Sequence, residues 1–320
     1  MEHLLHANLL HGAVALTWAL GVRRLAGPLS PTLWADLLRW CLGLPPLMAL
    51  LRLLGLPEPP DGLHAVRVAR WSEALAAADP MWQAMLWLLL GGTAGLFLLQ
   101  EALPAWQLRR GRARAEIRRD TELTHEVQEL LERMRLAGVA PFRGRTPKAS
   151  RMDSADLSAG LIGILEPQVV ASSGLLASLD SAEREATLAH ELAHWARGGN
   201  LRVLGVWLLR ALQALNPASL LLFRALIEAE EAACDEVAAR VTGRPAVLAS
   251  ALIKAHGHPE SVITDHALER ARGEILRRAE LASTRARIDQ LLSGVAQVHP
   301  SAGAKAAMGL GLAFLLWSIS

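Results

Sequence analysis

The chain has 320 residues, room for two ordinary domains at most, with 52% apolar types, 20% charged types and a net charge of +2. That balance excludes a disordered charged binder, and nothing global in it suggests nucleic acid as a partner. Two cysteines exclude a disulfide framework or an all-cysteine metal cage, and the absence of tyrosine closes any mechanism that needs a phenol.

The apolar residues come in blocks. Ala7 to Val22 is the first candidate span, expected to be retained because no basic leader precedes it and no small-residue cleavage site comes before Arg23. Cys41 to Gly55 follows, interrupted by Pro45, Pro46 and Arg52, and reads as a kinked span. Trp82 to Gln100 runs 19 residues without a charge, close to the ~20 that cross hydrocarbon, with Trp82 and Trp106 at belt positions. Ala306 to Ser320 is a shorter fourth candidate.

Loop charges orient this set. The connection from Pro57 to Pro80 is acidic on balance, whereas Arg109, Arg110, Arg112, Arg114, Arg118 and Arg119 follow the third span. The positive-inside rule then puts the N-terminus outside and the segment from about 104 to 305 in the cytoplasm. The arginine run reads as an anchor at anionic headgroups.

Within that segment, apolar residues at Leu123, Val127, Leu130, Leu131 and Met134 have helical spacing, closed by Gly138. Leu161 to Leu165 and Gln168 to Ser172 are short β-prone runs around Glu166-Pro167, which predicts a small hairpin or sheet. A helix restarts at Asp180, with Glu183 completing a capping box, and stops at Gly198-Gly199. Val203 to Phe223 is apolar but holds Arg210 and Asn216-Pro217, so it reads as a helical hairpin or a membrane-adjacent insertion.

The helix after Asp180 carries His190-Glu191-Leu192-Ala193-His194. Two imidazoles four residues apart leave one helix face and can converge on a tetrahedral metal, while the glutamate beside the first can take a proton from water. The third ligand is expected from the helical stretch Arg224 to Thr242, where Glu228, Glu230 and Glu231 compete. Glu231 stands four residues before Asp235, so those two carboxylates share a face, and Asp235 can accept the free N–H of a ligand histidine. Cys234 reads as a small packed residue.

From about Asp153 to Leu248 the sequence resembles the membrane metallopeptidases of the BlaR/MecR antirepressor family, and more distantly the HtpX and CAAX-type membrane endopeptidases. The resemblance is carried by GLIGILEPQVVASSGLLASLD, HELAHWARGGN, the apolar stretch broken at Asn216-Pro217, Arg224, EAACDE from Glu231 to Glu236, and Arg287-Ile288 within STRARIDQLL. It implies one zinc ion on His190, His194 and Glu231, a general base at Glu191 and a supporting aspartate at Asp235. Asn200 departs from the family, where aspartate is common. Receptor members carry an extracellular penicillin-binding sensor after the last span; this sequence stops at Ser320, and direct β-lactam sensing is not expected of it.

The expected architecture is a mainly α membrane protein: about four transmembrane helices and an α+β zincin-like catalytic domain with a small β-sheet. Residues 1–103 form the N-terminal membrane region, 104–305 the cytoplasmic catalytic domain with the apolar insertion 203–223, and 306–320 the last span. The expected activity is zinc-dependent hydrolysis of peptide bonds at the inner cell membrane, in a cytoplasmic or membrane-associated protein such as a transcriptional regulator. The expected partners are a protein or peptide substrate and the lipid bilayer, with no nucleic acid. Quality control of membrane proteins, as in HtpX, and a non-enzymatic scaffold with a structural metal are the alternatives. The substrate is expected to align as an added strand on the edge of the 160–172 region. With no tyrosine available, His256, His258, His266, Arg285 and Arg287 are the candidates for stabilising the oxyanion.

Overall fold

The computed structural model describes residues 2–27, 29–55, 68–99, 117–139, 145–256, 281–293 and 302–319. It divides into two compact units: Met1–Arg112 with Leu204–Glu230 and Gln297–Ser320, and Ala113–Val203 with Glu231–Ala296.

The first unit is helical, with Glu2–Ala26, Pro31–Leu53, Val68–Ala76, Pro80–Phe97 and Ala302–Ile319. The second helix begins ten residues before the apolar run that marks it in the sequence. Pro31 fits its first turn, where a missing N–H is harmless, and Ser30 Oγ accepts from Leu33 N at 3.3 Å. Ala15, Ala19, Leu37, Leu38, Cys41, Leu42, Leu222, Leu226, Leu312 and Leu316 form one buried cluster. The small residues allow close approach: a Cβ added at Gly309 would lie 1.7 Å from the Trp40 ring. Trp82, Trp87, Leu88 and Leu89 of Pro80–Phe97 and Leu310 and Phe314 of Ala302–Ile319 are exposed. Among the described residues, one helix, Leu5–Ala26, is long and apolar enough to cross a membrane by length and composition. Trp106 and Arg109 to Arg114 lie outside the described residues.

The apolar stretch 203–223 falls on two helices, Gly199–Leu212 and Pro217–Thr242, parted at 213–216. Asn216 caps the second: its Oδ1 accepts from Ala218 N at 2.9 Å, ahead of Pro217 in the first turn.

The second unit holds a four-stranded sheet, β1 (Ile117–Arg119), β2 (Lys148–Met152), β3 (Ala159–Ile162) and β4 (Gln168–Ser172), in the order β1-β2-β4-β3. β2 runs parallel to β4, and the two outer pairings are antiparallel. β3 differs from the expected run 161–165. It starts two residues earlier and stops at Gly163, whose φ of +82° places it in the left-handed region. A Cβ there would meet the Glu166 carbonyl at 2.2 Å, so Ile164 and Leu165 are left exposed in the turn. Arg118 and Arg119, read from sequence as part of a headgroup anchor, sit in the exposed edge strand β1.

The helix Thr121–Leu136 is capped by Asp120, whose side chain accepts from Leu123 N at 3.1 Å. It buries Leu123, Val127, Leu130 and Met134 and ends before Gly138 at φ +73°. These side chains pack with Val169 of β4, with Leu188, Ala189, Leu192 and Ala193, and with Val237, Ala238 and Leu248. Each leucine so buried contributes about 1.5–3 kcal/mol. This core fixes the helix that carries the histidine pair.

Candidate metal centre

That helix runs Ser181–Ala196 and has the capping box expected of it: Asp180 accepts from Glu183 N, and Glu183 accepts from Asp180 N, both at 2.9 Å. Glu183 also accepts from Ser250 Oγ at 2.7 Å and Lys254 Nζ at 2.6 Å, which ties the helix start to helix Pro245–His256. Burial works against the charged form of Glu183, yet these hydrogen bonds hold its pKa below the ordinary value. The helix ends at Ala196 with Arg197 as its cap, and Gly198 and Gly199, both at positive φ, turn the chain into the next helix. Both ends are therefore fixed, and a buried apolar face lies between them.

His190 and His194 leave the same face one turn apart. Their Nε2 atoms are 3.2 Å from each other, with the rings edge-on. Glu231, from helix Pro217–Thr242, brings Oε2 to 3.6 Å from His190 Nε2 and Oε1 to 3.5 Å from His194 Nε2. One donor atom from each of the three lies within 4.8 Å of the others, the only such group among the described residues. Donors bound tetrahedrally at zinc distances are about 3.3 Å apart. The observed separations are close to that value, and the set of two imidazoles and one carboxylate suits zinc. With His190 neutral the three side chains present lone pairs to one another, an arrangement that a proton or a cation between them stabilises.

The surroundings reinforce the set. Asp235, one turn beyond Glu231, puts Oδ1 at 2.9 Å from His190 Nδ1. That contact assigns the proton of a neutral His190 to Nδ1 and turns the Nε2 lone pair toward the cluster. Arg287, on the helix 281–293, donates from Nε to Asp235 Oδ2 at 2.6 Å and from Nη2 to Asp235 Oδ1 at 2.8 Å. Its Nη1 is 3.2 Å from Glu231 Oε2. One guanidinium thus holds both carboxylates. Cys234 Sγ lies 3.4 Å from His194 Nδ1.

Electrostatics follow from this geometry. Burial alone depresses the pKa of His190, but the hydrogen bonds to Asp235 and Glu231 reverse it, and the group is raised to about 10 without metal. Glu231 is pulled down to about 2, because His190, His194 and Arg287 outweigh its burial. Asp235 is likewise lowered against burial, by Arg287 and His190. His194 is pushed down by burial and by the neighbouring His190 charge.

Of the three glutamates that compete in the sequence, the favoured Glu231 joins the histidines, Glu228 is exposed, and Glu230 accepts from Arg39 Nε at 2.7 Å. Glu191 is half-buried beside the pair, and its charge acts on both imidazoles. Arg287, an oxyanion candidate in the sequence, is instead engaged by Asp235 and Glu231, and Arg285 is exposed. The side chain of His256, and His258 and His266 altogether, lie outside the described residues. Cys234, a small packed residue by its sequence, faces the site, and its place between Glu231 and Asp235 on the same helix is the signal for that.

The family model for the BlaR1 peptidase M56 matches residues 76–281, more than half of the chain. The match takes in the histidine pair, Glu231 and Asp235 and stops short of Arg287. No curated protein matches the chain.

Proposed function

The chain belongs to the BlaR1 peptidase M56 family, and from that membership we propose that it is an integral-membrane zinc endopeptidase acting on a cytoplasmic or membrane-associated protein, a transcriptional repressor or regulator being the substrate class. The family is one of membrane-associated metallopeptidases. The observation that carries the proposal for this chain is the approach of His190, His194 and Glu231 to 3.2–3.6 Å around one point, with Glu191 next to the first histidine.

In this reading His190, His194 and Glu231 hold the ion. Zinc, when bound there, supplies Lewis-acid activation of water and of the scissile carbonyl. Glu191 accepts the proton of the attacking water on a carboxylate oxygen and delivers it to the leaving amine nitrogen. Asp235 keeps the proton of His190 on Nδ1 throughout, so Nε2 stays a donor. Arg287 holds Asp235 and Glu231 in one orientation. The substrate main chain aligns along the open edge of β3, where recognition is by backbone hydrogen bonds and tolerates varied side chains.

The membrane reading is supported by the apolar helix Leu5–Ala26 and by the exposed tryptophans and leucines of Pro80–Phe97, a surface that water penalises and lipid does not. We assign four spans, with 1–103 and 306–320 as the membrane regions and 104–305 as the cytoplasmic catalytic domain. Reporter fusions at residues 60 and 150 test that orientation.

The test of the activity is Glu191→Gln in the full-length protein. We expect zinc content by mass spectrometry to match wild type, and cleavage of an unfolded casein-type substrate to fall about 10²–10⁴-fold. Undiminished cleavage overturns the base assignment, and bound zinc without cleavage by wild type overturns the peptidase reading.

A further inference from the structure

One side chain occupies part of the open edge of β3. Ser172 N donates to Ser158 O at 2.8 Å, and the register pairs Gly160 with Val170 and Ile162 with Gln168. Antiparallel alternation then turns the backbone groups of Ser158, Gly160 and Ile162 toward β4, and those of Ala159, Leu161 and Gly163 outward. Asn200 Nδ2 donates to two of the outward carbonyls, Leu161 O at 3.0 Å and Gly163 O at 2.9 Å.

Asn200 follows the glycine pair that ends the histidine helix, six residues beyond His194, so its amide joins β3 to that helix end. Gly199 is part of the same junction: a Cβ on it would rest 3.5 Å from Leu161 Cδ2. The two carbonyls it engages are the acceptors an added peptide strand uses. Toward Ala159 the edge is different. There the same alternation turns the Ala159 N–H and carbonyl and the Leu161 N–H outward, and the Asn200 contacts fall on Leu161 O and Gly163 O instead.

We infer that Asn200 is a specificity-determining residue that sets the register of peptide pairing on β3. A peptide pairs along Ala159 and the Leu161 amide and is stopped where the Asn200 amide holds the next acceptors. Substrate recognition is therefore short in main-chain length on that side. The effect needs a donor at position 200, because a carboxylate offers acceptors only and faces two carbonyl oxygens. The inference rests on the β3 alignment proposed above.

The experiment measures binding of fluorescein-labelled extended peptides, four to twelve residues long, to full-length Glu191→Gln protein in detergent micelles. It is repeated with Asn200→Ala, Asn200→Asp and Asn200→Gln added. With Asn200 present, affinity stops rising with length; in Asn200→Ala and Asn200→Asp the long peptides bind about 5- to 10-fold tighter as each freed acceptor gains a hydrogen bond, and the shortest are unchanged. Asn200→Gln, which keeps the amide, restores the stop. Backbone N-methylation at the residue facing Leu161 O weakens binding only where the amide is gone. Identical length and N-methyl profiles with and without the amide overturn the inference, as does absence of peptide binding at every length. The Asp and Gln variants carry the comparison if Asn200→Ala disturbs the strand, since melting curves identify which variants fold. Hydrolysis with unchanged profiles removes this inference alone; the expected profiles in a protein that cleaves nothing remove the peptidase reading and leave it standing.

Discussion

Two buried polar clusters, one in each unit, are built from similar parts and differ in what they leave over. In the first unit Arg210 Nη1 donates to Gln213 O at 2.9 Å and Ser219 Oγ at 3.2 Å. Ser219 Oγ lies 2.9 Å from Gln213 O and 2.8 Å from Asn216 O and shares its one proton between them, and Asn216 Nδ2 donates to Asn8 O at 2.8 Å. Donors here meet the carbonyls freed where the helix breaks, so the cluster ties off backbone. In the second unit His190, His194 and Glu231, with the imidazoles neutral, point lone pairs at one another. A cluster rich in donors closes a break in the chain; one rich in acceptors calls for a cation. Burial alone does not separate the two, and the direction of the protons does.

Removing one member from each cluster is the sharpest way to break that contrast. His194→Ala is expected to reduce zinc per folded molecule to background and to abolish hydrolysis, while the circular dichroism spectrum keeps its helical shape. Asn216→Ala is expected to leave zinc content per folded molecule unchanged and to destabilise the protein by about 1–3 kcal/mol, through partners left unsatisfied in the interior. Loss of zinc in Asn216→Ala with retained helicity would make both clusters part of one metal-holding device and erase the distinction.

A smaller change sharpens the second cluster. Asp235→Asn keeps an oxygen near His190 Nδ1 but removes the charge that Arg287 holds at 2.6 and 2.8 Å. Zinc affinity, measured by competition with a chromophoric chelator, is expected to drop about 10- to 100-fold. An unchanged affinity would mean that Asp235 acts on packing and not on the imidazole.

What the sequence made legible follows the same division. The histidine pair and its glutamate lie within one turn and a half of one helix, so spacing alone carries them, and the capping box and the glycine stop marked that helix's ends. The acid on the second helix is less legible: Glu228, Glu230 and Glu231 share a stretch, and only the four-residue spacing to Asp235 and the family resemblance favour Glu231, because long-range packing selects among them. Arg287 sits 52 residues beyond Asp235, and no local periodicity joins the two. β1 falls inside an arginine run that reads as a solvated or lipid-facing segment; three exposed residues paired to β2 leave no alternating pattern to find.

The metal-free protein offers a pH test of the same cluster. His190 has a folded pKa raised from 6.5 to about 10, so its contribution to stability is full below 6.5 and is lost as the pH rises through about 10. Glu231 is lowered from 4.5 to about 2, so its contribution is present above 4.5 and is lost as the pH falls toward 2. In chelator the melting temperature is expected to be highest between about pH 4.5 and 6.5 and to decline on both sides. On the proposed ligand set zinc would take the place of the proton on His190, so the alkaline decline is expected to flatten when zinc is added. A decline of equal steepness with and without zinc would show that His190 is not a ligand.

The smallest expected effect concerns the other histidine. His190 has a carboxylate on Nδ1, whereas His194 has the thiol of Cys234 at 3.4 Å. A thiol is a weak partner that adds no charge, so it orients the ring without strengthening it as a donor. Cys234→Ala therefore removes less than Asp235→Asn does, and zinc affinity is expected to fall less than 10-fold. Cys234→Ser, which places a hydroxyl at the same point, is expected to stay within a few-fold of wild type. The two imidazoles then differ in how much each depends on its outer partner, and the ratio of the two losses measures that difference. A loss in Cys234→Ala as large as in Asp235→Asn would make the thiol a direct participant in holding the ion.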